Sequence, residues 1–550
     1  MKKLLVCFAF VAAGFNSHAQ FSRYLVQLKD KATNPFSLST PAQYLSQRAI
    51  DRRTRYSIAV DSTDLPVTPR YIDSLRLSGA VTILNTSRWL NQVSIQTTDA
   101  TALAKINSFP FVRVVAPIAA RTGGGAGSGK KEVAGSSATL SSAPPRTQRT
   151  TADFYDYGQS YRQVHIHNGE FLHNIGLRGQ NMIIGMLDGG FRSYTSLKAF
   201  DSVNAAGQVL GTYDFVARET SVVEDDAHGM QCFSIIAANI PGQFVGTAPK
   251  ASFYLFRSED GASEYPIEEH NWVCAAERVD SVGGDLISSS LGYSDGMSNS
   301  IFNHTYAEMN GNTTIAARGA DMAAKKGILV ANAAGNDGNG SFHFISSPAD
   351  GDSVMAVGAV TADSIPAGFS SYGPSSDNQV KPDVASQGVN TVLQTQFNTI
   401  GASNGTSFAC PNIAGLAASL WQGFPEVNNM RIINVLRQSG SKASSPDNRV
   451  GYGIPDVKKA LLILVKEFAT ASIVSSTCKN TLSWTSKDVT TMRYEIERKA
   501  AGETNFTRIG ERQGTGTTFT PRSYQFSDSL VNVQAGTISY RIRQVIDTAT

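Results

Sequence analysis

The chain has 550 residues, of which 41% are hydrophobic and 17% are charged, and its formal net charge at pH 7 is only +3. This length exceeds what a single core usually holds, so we expect three or four folded units. The small net charge and the lack of a dense lysine and arginine stripe argue against nucleic acid as a partner.

The N-terminus has the pattern of a secretory signal peptide. Lys2 and Lys3 precede an apolar run over residues 4–15, and a small-residue cleavage site ends at Ala19. We therefore predict a signal peptide over residues 1–19 and an exported protein, located in the periplasm, at the cell surface or outside the cell. The apolar run is too short for a membrane span, and no later segment is long enough.

Residues 20–117 are predicted to form a separate α+β unit. Runs at 24–28, 81–84, 92–96 and 111–115 have the composition of strands, and helical patterns lie between them. This order favours a small sandwich of the split βαβ type.

Residues 118–153 are rich in Gly, Ser, Ala and Thr. Such a composition buries too little apolar surface to fold, so an exposed linker is predicted. Exposed linkers are preferred sites of proteolysis, and we expect maturation cuts here.

Residues 154–466 alternate short apolar runs with helical patterns, which favours an α/β fold with a mostly parallel sheet. Predicted strands cover 182–187, 252–256, 286–289, 328–331 and 354–360, and predicted helices include 271–282 and 314–326. Functional residues of such folds lie at the carboxyl ends of the strands.

Three motifs in this unit carry candidate catalytic residues. Asp188 follows a strand and precedes two glycines, His228 opens a helical run, and Ser407 lies in a Gly-Thr-Ser motif before another apolar helix. Pro411 is expected near the first turn of that helix, where a missing N–H costs least. A turn, a helix start and a helix cap are the ordinary interpretations of these motifs. Their order along the chain, Asp, His, Ser, is nevertheless that of the subtilisin triad.

On these motifs the chain resembles the subtilase family of serine endopeptidases over most of residues 154–460. The segment 331–337 is similar to the family's oxyanion-asparagine loop, 290–292 to its substrate-binding strand, and 451–453 to its closing turn. Six matches in the right order make the resemblance specific.

The resemblance implies a role for each matched residue. Ser407 would be the nucleophile, His228 the general base, and Asp188 the group that orients the imidazole. Asn336 would donate a hydrogen bond in the oxyanion hole. The implied substrate-binding residues are Ser290, Leu291, Gly292, Ala333, Ala334 and Gly335.

The resemblance also implies polypeptide substrates and no required cofactor. Calcium is frequent in the family, but no ligand set can be assigned from this sequence, so no metal site is predicted. Residues 20–117 resemble the subtilase propeptide, which assists folding and inhibits the enzyme until it is cut away. A free-standing accessory domain is the alternative.

Cys232 departs from the usual family pattern and resembles a free cysteine of the proteinase-K-like branch. A small buried hydrophobe is the alternative interpretation, and in either case we expect mercurials to inhibit. A bridge between Cys232 and Cys410 is conceivable, although two buried thiols are favoured. The wide spacing of the cysteines matches neither a disulfide framework nor a zinc motif.

Two regions leave alternatives open. Residues 292–314 form a polar insertion that either borders the cleft or is a plain surface excursion. Residues 467–550 show the period-two alternation of strands and resemble a fibronectin-III-like β-sandwich, which is possibly truncated. This unit would bind substrates or surfaces, or act as a spacer.

The sequence thus predicts a secreted, propeptide-processed serine endopeptidase. An inactive homologue that binds proteins or glycans is disfavoured, because all four catalytic residue types are present. A serine esterase of the same geometry is the second alternative.

Overall fold

The computed structural model describes residues 21–120, 141–142, 153–531 and 533–546. The predicted signal peptide and most of the predicted linker lie outside these residues. In the described ranges, no helix is both long and apolar enough to cross a membrane.

The first unit combines a four-stranded antiparallel sheet with three helices. Its elements are β1 (Phe21–Leu28), α1 (Gln47–Arg55), α2 (Pro69–Arg76), β2 (Thr82–Ser87), β3 (Gln92–Gln96), α3 (Ala100–Ser108) and β4 (Val112–Ala120). The strand order is β2-β3-β1-β4. Its core includes Val26 of β1, Leu75 of α2 and Ile106 of α3. The α+β prediction is confirmed.

Strand β4 continues to Ala120, three residues beyond the predicted boundary at 117. Ile118 and Ala119 are buried against Ile267 of the second unit. A contact with a distant part of the chain therefore extends β4. The sequence around residue 117 does not predict this extension.

The second unit contains most of the chain. Its elements are β5 (Ser141–Ser142), α4 (Tyr161–His165), α5 (Gly169–Asn174), β6 (Ile183–Asp188), α6 (Asp201–Ala205), β7 (Val209–Asp214), α7 (His228–Ala237), β8 (Asn239–Ile240), β9 (Phe244–Val245), β10 (Ser252–Arg257), α8 (Pro266–Val282), β11 (Leu286–Ser289), α9 (Ile315–Lys325), β12 (Leu329–Ala333), β13 (Val354–Val360), β14 (Val384–Gln387), β15 (Thr391–Gln394), β16 (Ile400–Ser403), α10 (Thr406–Gln422), α11 (Asn429–Ser439) and α12 (Val457–Phe468).

Seven of these strands form one sheet in the order β14-β13-β12-β11-β6-β10-β7. All neighbouring pairs in it are parallel. The five central strands are those predicted from apolar runs, because parallel strands covered on both faces are apolar throughout. The prediction of a mostly parallel sheet flanked by helices is confirmed.

Helix α8 begins at Pro266, earlier than the predicted start at residue 271. Proline suits the first helical position, where its missing N–H costs nothing. The carboxylate of Glu268 also accepts the N–H of Tyr265 at 3.0 Å, which caps the helix.

The third unit is a sandwich of two antiparallel sheets. Its strands are β17 (Thr470–Ser476), β18 (Lys479–Asp488), β19 (Arg493–Lys499), β20 (Thr507–Gln513), β21 (Thr520–Ser529) and β22 (Ser539–Val545). They form the sheets β17-β18-β21 and β20-β19-β22, whose facing side chains include Trp484 and Tyr494. The prediction of a C-terminal β-sandwich is confirmed.

A buried lysine lies among oxygen atoms next to β13 and β14. Lys381 Nζ donates to Gly351 O and Val354 O at 2.8 Å, and to Asp383 Oδ2 at 3.1 Å. Burial disfavours the charged form of Asp383, but Lys381 and Arg437 outweigh this effect and lower the pKa of Asp383. The ammonium group of Lys381 therefore stabilises the negative charge of Asp383 at this edge of the sheet.

Lys381→Met is expected to lower the free energy of unfolding by about 3 kcal/mol, because it removes one of the two cationic partners of buried Asp383 and the donor to two buried carbonyl oxygens. Urea denaturation followed by tryptophan fluorescence measures this loss. Lys442→Met is the matched control, since it removes an exposed ion pair with Asp447 and should cost less than about 1 kcal/mol. Equal losses in the two variants would contradict the assignment.

Candidate active site

Asp188 is the last residue of β6, at the carboxyl edge of the parallel sheet. It is 1% exposed, and its Oδ1 accepts the N–H of Gly189 at 2.8 Å. Because β6 lies between β10 and β11, this carboxylate stands at the centre of the edge where functional groups meet in such folds.

His228 is the first residue of α7, and its Nδ1 lies 2.7 Å from Asp188 Oδ1. Gly229 makes this approach possible. A Cβ at residue 229 would lie 2.5 Å from Gly190 O and 2.7 Å from Asp188 Cβ, so a side chain there would push the helix away.

The pairing of His228 with Asp188 changes the proton affinity of the imidazole. Burial disfavours the charged imidazolium, but the negative charge of Asp188 outweighs it and raises the pKa of His228 well above its ordinary value. The imidazole is therefore a strong proton acceptor whose charged form is stabilised in place.

Ser407 is the second residue of α10 and is fully buried. The expectation that Pro411 lies near the first turn is wrong, because Pro411 is inside the helix and has no N–H to donate to Ser407 O. Two side chains donate to that carbonyl instead, Ser290 Oγ at 2.8 Å and Cys232 Sγ at 3.3 Å. Because Pro411 leaves this carbonyl without a helical donor, the hydrogen bonds from Ser290 and Cys232 connect Ser407 to the segment after β11 and to α7.

The sulfur of Cys232 lies between His228 and Ser407. It is 3.9 Å from both ring nitrogens of His228, and burial raises the pKa of the Cys232 thiol. A protonated thiol donates to the Ser407 carbonyl and packs under the imidazole. The structure contains Cys232 and Cys410 as free buried thiols, the favoured alternative, rather than as a bridge.

Asn336 lies in the loop after β12, facing the start of α10. Its Oδ1 accepts both the N–H and the hydroxyl of Thr406 at 2.9 Å. The same hydroxyl accepts the N–H of Gly335 at 3.2 Å. These contacts orient the amide so that its N–H groups point away from Thr406. Asn336 Nδ2 lies 3.7 Å from the position that a Cβ atom would take at Gly405.

The predicted substrate-binding residues lie on two adjacent segments. One segment, 290–292, follows β11, and the other, 333–335, ends β12 and continues beyond it. These strands pair in parallel, and Asn332 Nδ2 donates to Leu291 O and Ala333 O, both at 2.9 Å. The structure brings both segments to the same edge as Ser407.

An acidic cluster beside the site was missed by the sequence analysis. Glu259, Glu264 and Glu268 are at most 5% exposed, and their carboxylates lie within 4.8 Å of one another, close enough to share a metal ion. Tyr293 donates its hydroxyl to Glu259 at 2.5 Å. The acid-rich stretch before α8 was the only sequence signal, and it does not show that these side chains converge.

The insertion at 292–314 packs between the first unit and α8. The ring of Phe302 lies 5.8 Å from that of Phe21 and 6.1 Å from that of Tyr265. His304 Nε2 is 2.7 Å from Glu269 Oε1. Burial opposes protonation of His304, yet Glu269 outweighs it and raises the pKa to about 9. The insertion is therefore anchored beside the acidic cluster.

Comparisons with known proteins agree with this geometry. The model of the Subtilase family matches residues 179–453, and that of the Peptidase S8 propeptide domain, Bacteroidota, matches residues 23–131. The chain is 31% identical to subtilisin DY from Bacillus licheniformis over 272 residues, which cover 48% of this chain and 86% of that protein. It is 32% identical to subtilisin E from Bacillus subtilis (strain 168) over 286 residues, which cover 51% of this chain and 65% of that protein.

The family match therefore spans half of the chain, and it includes the segments that carry the aspartate, the histidine and the serine. The propeptide match covers the α+β unit that precedes them. On these grounds the chain belongs to the subtilase family, with a peptidase S8 propeptide domain, and is a serine endopeptidase.

Proposed function

We propose that this endopeptidase cleaves peptide bonds through Ser407, His228 and Asp188, by way of an acyl-enzyme. The single observation that carries the proposal is the 2.7 Å contact between His228 Nδ1 and Asp188 Oδ1. His228 removes the proton of Ser407 as the hydroxyl oxygen attacks the carbonyl carbon, and then gives it to the leaving amine. Water releases the acyl group by the same route.

The developing negative charge on the substrate oxygen needs hydrogen-bond donors. We propose that Asn336 Nδ2 and the N–H of Ser407 supply them. The position of Ser407 in the first turn of α10 supports this proposal, because the N–H groups of that turn have no helical acceptor.

Asn336→Ala is expected to lower kcat by about 10²–10³-fold with little change in KM. This loss of kcat is the one measured on removal of the corresponding asparagine of subtilisin. Asn336→Asp keeps the oxygen that accepts from Thr406 but removes the donor, so it should be at least as impaired. Asn339→Ala, an exposed change in the same loop, is the control. Full activity of Asn336→Asp in peptide hydrolysis would refute the assignment.

A fluorophosphonate probe tests the proposed nucleophile. The mature protein should be labelled at Ser407, and Ser407→Ala should abolish labelling. A catalytically inactive homologue would never be labelled. A comparison of peptide and ester turnover then separates an endopeptidase from an esterase, because an esterase would leave peptides intact.

Mercurials are expected to inactivate the enzyme by reaction at Cys232, because an adduct 3.9 Å from the imidazole must displace His228. Cys232→Ala should remain active and resist the mercurial, whereas Cys274→Ala, which alters a buried thiol on α8, should remain sensitive. Residual peptidase activity after treatment measures both. Inactivation of Cys232→Ala at the parent rate would count against this site.

We further propose that residues 1–19 direct export and that residues 20–117 act as an inhibitory propeptide released by cuts in 118–153.

The peptidase domain is then 154–466, and the sandwich at 467–550 is a spacer or a binding unit. Neither a cofactor nor nucleic acid is needed for this chemistry. Mass spectrometry of the secreted enzyme is the test, and a mature N-terminus that retains residues 21–117 would contradict the proposal.

A further inference from the structure

Helix α1 lies outside the core of its own unit. The core of the first unit draws on β1, β3, β4, α2 and α3, but on no residue of 29–66. Yet Arg52 and Arg53 of α1 are only 3% and 2% exposed. Because these charged side chains are buried but do not join the core of the first unit, α1 must pack against another part of the protein.

The contacts of Arg52 are with the peptidase domain. Its Nε donates to Lys326 O at 3.0 Å, its Nη1 donates to Gly284 O, and its Nη2 donates to Asp280 Oδ1 at 2.5 Å. The guanidinium therefore has acceptors on three residues, all of them in the other unit.

Asp280 of α8 is the centre of this interface. Arg53 and Arg88 donate to its Oδ2 at 2.8 and 3.0 Å, so three guanidinium groups meet one carboxylate. Asp280 is 0% exposed. In the described part of the chain, every hydrogen bond to its carboxylate comes from the first unit.

Two further contacts widen the interface. Asp64 bridges Arg53 and Lys326 at 2.7 and 2.9 Å. Tyr56, next to α1, stacks on Trp421 with ring centroids 6.2 Å apart and donates its hydroxyl to Pro425 O. The surface thus includes the ends of α8, α9 and α10.

This surface is remote from the catalytic groups. Helix α8 has 17 residues, which corresponds to roughly 25 Å. It starts beside the acidic cluster and ends before the amino end of β11. Asp280 therefore lies at the opposite edge of the sheet from Asp188.

We propose that α1 is a second docking element, which binds the peptidase domain through Asp280 and keeps the propeptide attached after the linker has been cut. The proposal rests on the proposed function in that the first unit is the propeptide of an active peptidase. After linker cleavage, the contacts to Asp280 would therefore slow the release of the first unit. Buried ion pairs are screened little by salt, so salt alone should not free it.

Dissociation of the nicked full-length protein tests the proposal. A recognition sequence for an unrelated site-specific protease is inserted between Gly129 and Lys130 in a Ser407→Ala background, and the linker is cut. In the parent, the fragment should co-elute with the peptidase domain in gel filtration at about 0.15 M and about 1 M NaCl. The Arg52→Gln/Arg53→Gln variant should lose the fragment at least about 100-fold faster, since the buried Asp280 carboxylate keeps only Arg88 of its three guanidinium partners.

Arg55→Gln is the matched control, because it changes an exposed arginine on the same helix and should dissociate like the parent. An unchanged dissociation rate in the double variant would overturn the proposal. If the double variant does not fold, Arg48→Gln, which removes a half-exposed pair with Asp285, should still accelerate release, and failure to do so overturns the proposal as well. Because these readouts use an inactive background, they stand apart from the labelling test of the triad.

Discussion

His228→Ala is expected to lower kcat for peptide hydrolysis by about 10⁶-fold, the scale found for loss of the histidine in subtilisin. Without the imidazole, the proposed general base of Ser407 is lost, and an unassisted hydroxyl is a poor nucleophile. Since the proposed substrate-binding segments follow β11 and β12 and do not include His228, KM should change little. Single-turnover kinetics of the matured variant measure the residual rate.

His165→Ala is the control for that variant. Its side chain is 52% exposed and pairs with Glu170 on a different part of the fold, so activity should be retained. A loss of less than tenfold in His228→Ala would show that another group acts as the base.

Asp188→Asn is expected to lower kcat by about 10⁴-fold while preserving the fold, the scale of the same change in chymotrypsin-like enzymes. A neutral amide cannot stabilise the imidazolium, and it favours the wrong tautomer of His228. Asp363→Asn, at a carboxylate whose side chain is 73% exposed, should leave kcat unchanged.

The pH dependence of kcat/KM provides a second readout for Asp188→Asn. Catalysis needs neutral His228, and Asp188 raises the pKa of that imidazole well above its ordinary value. Activity of the parent should therefore rise with pH until His228 loses its proton, at a pH above the ordinary range of an imidazole. In Asp188→Asn the midpoint should move to lower pH, and an unmoved midpoint would show that Asp188 does not set this pKa.

The proposed catalytic residues can be recognised in the sequence because each carries a local signature. Asp188 ends an apolar strand before glycines, and His228 and Ser407 stand at helix starts. These signatures follow from backbone geometry within a few residues, which a linear pattern records. The five central strands were predictable for the same reason, since strands buried on both faces are apolar throughout.

Features that depend on distant contacts could not be predicted from the sequence. Pro411 was expected where its missing N–H would not matter, but it lies inside α10 and leaves Ser407 O to Cys232 and Ser290. Nothing near residue 411 reveals that these donors come from α7 and from the end of β11. The convergence of Glu259, Glu264 and Glu268 beside the site was hidden in the same way.

The amino-acid sequence by itself determined which segments become strands and helices, and which residue types stand at their ends, because these choices depend on neighbours along the chain. Only the tertiary structure decided that His228 contacts Asp188, that Asn336 is oriented by Thr406, and that Arg52 reaches Asp280. Those pairs are 40, 70 and 228 residues apart. Their geometry is set by the packing of whole elements, and no local pattern encodes it.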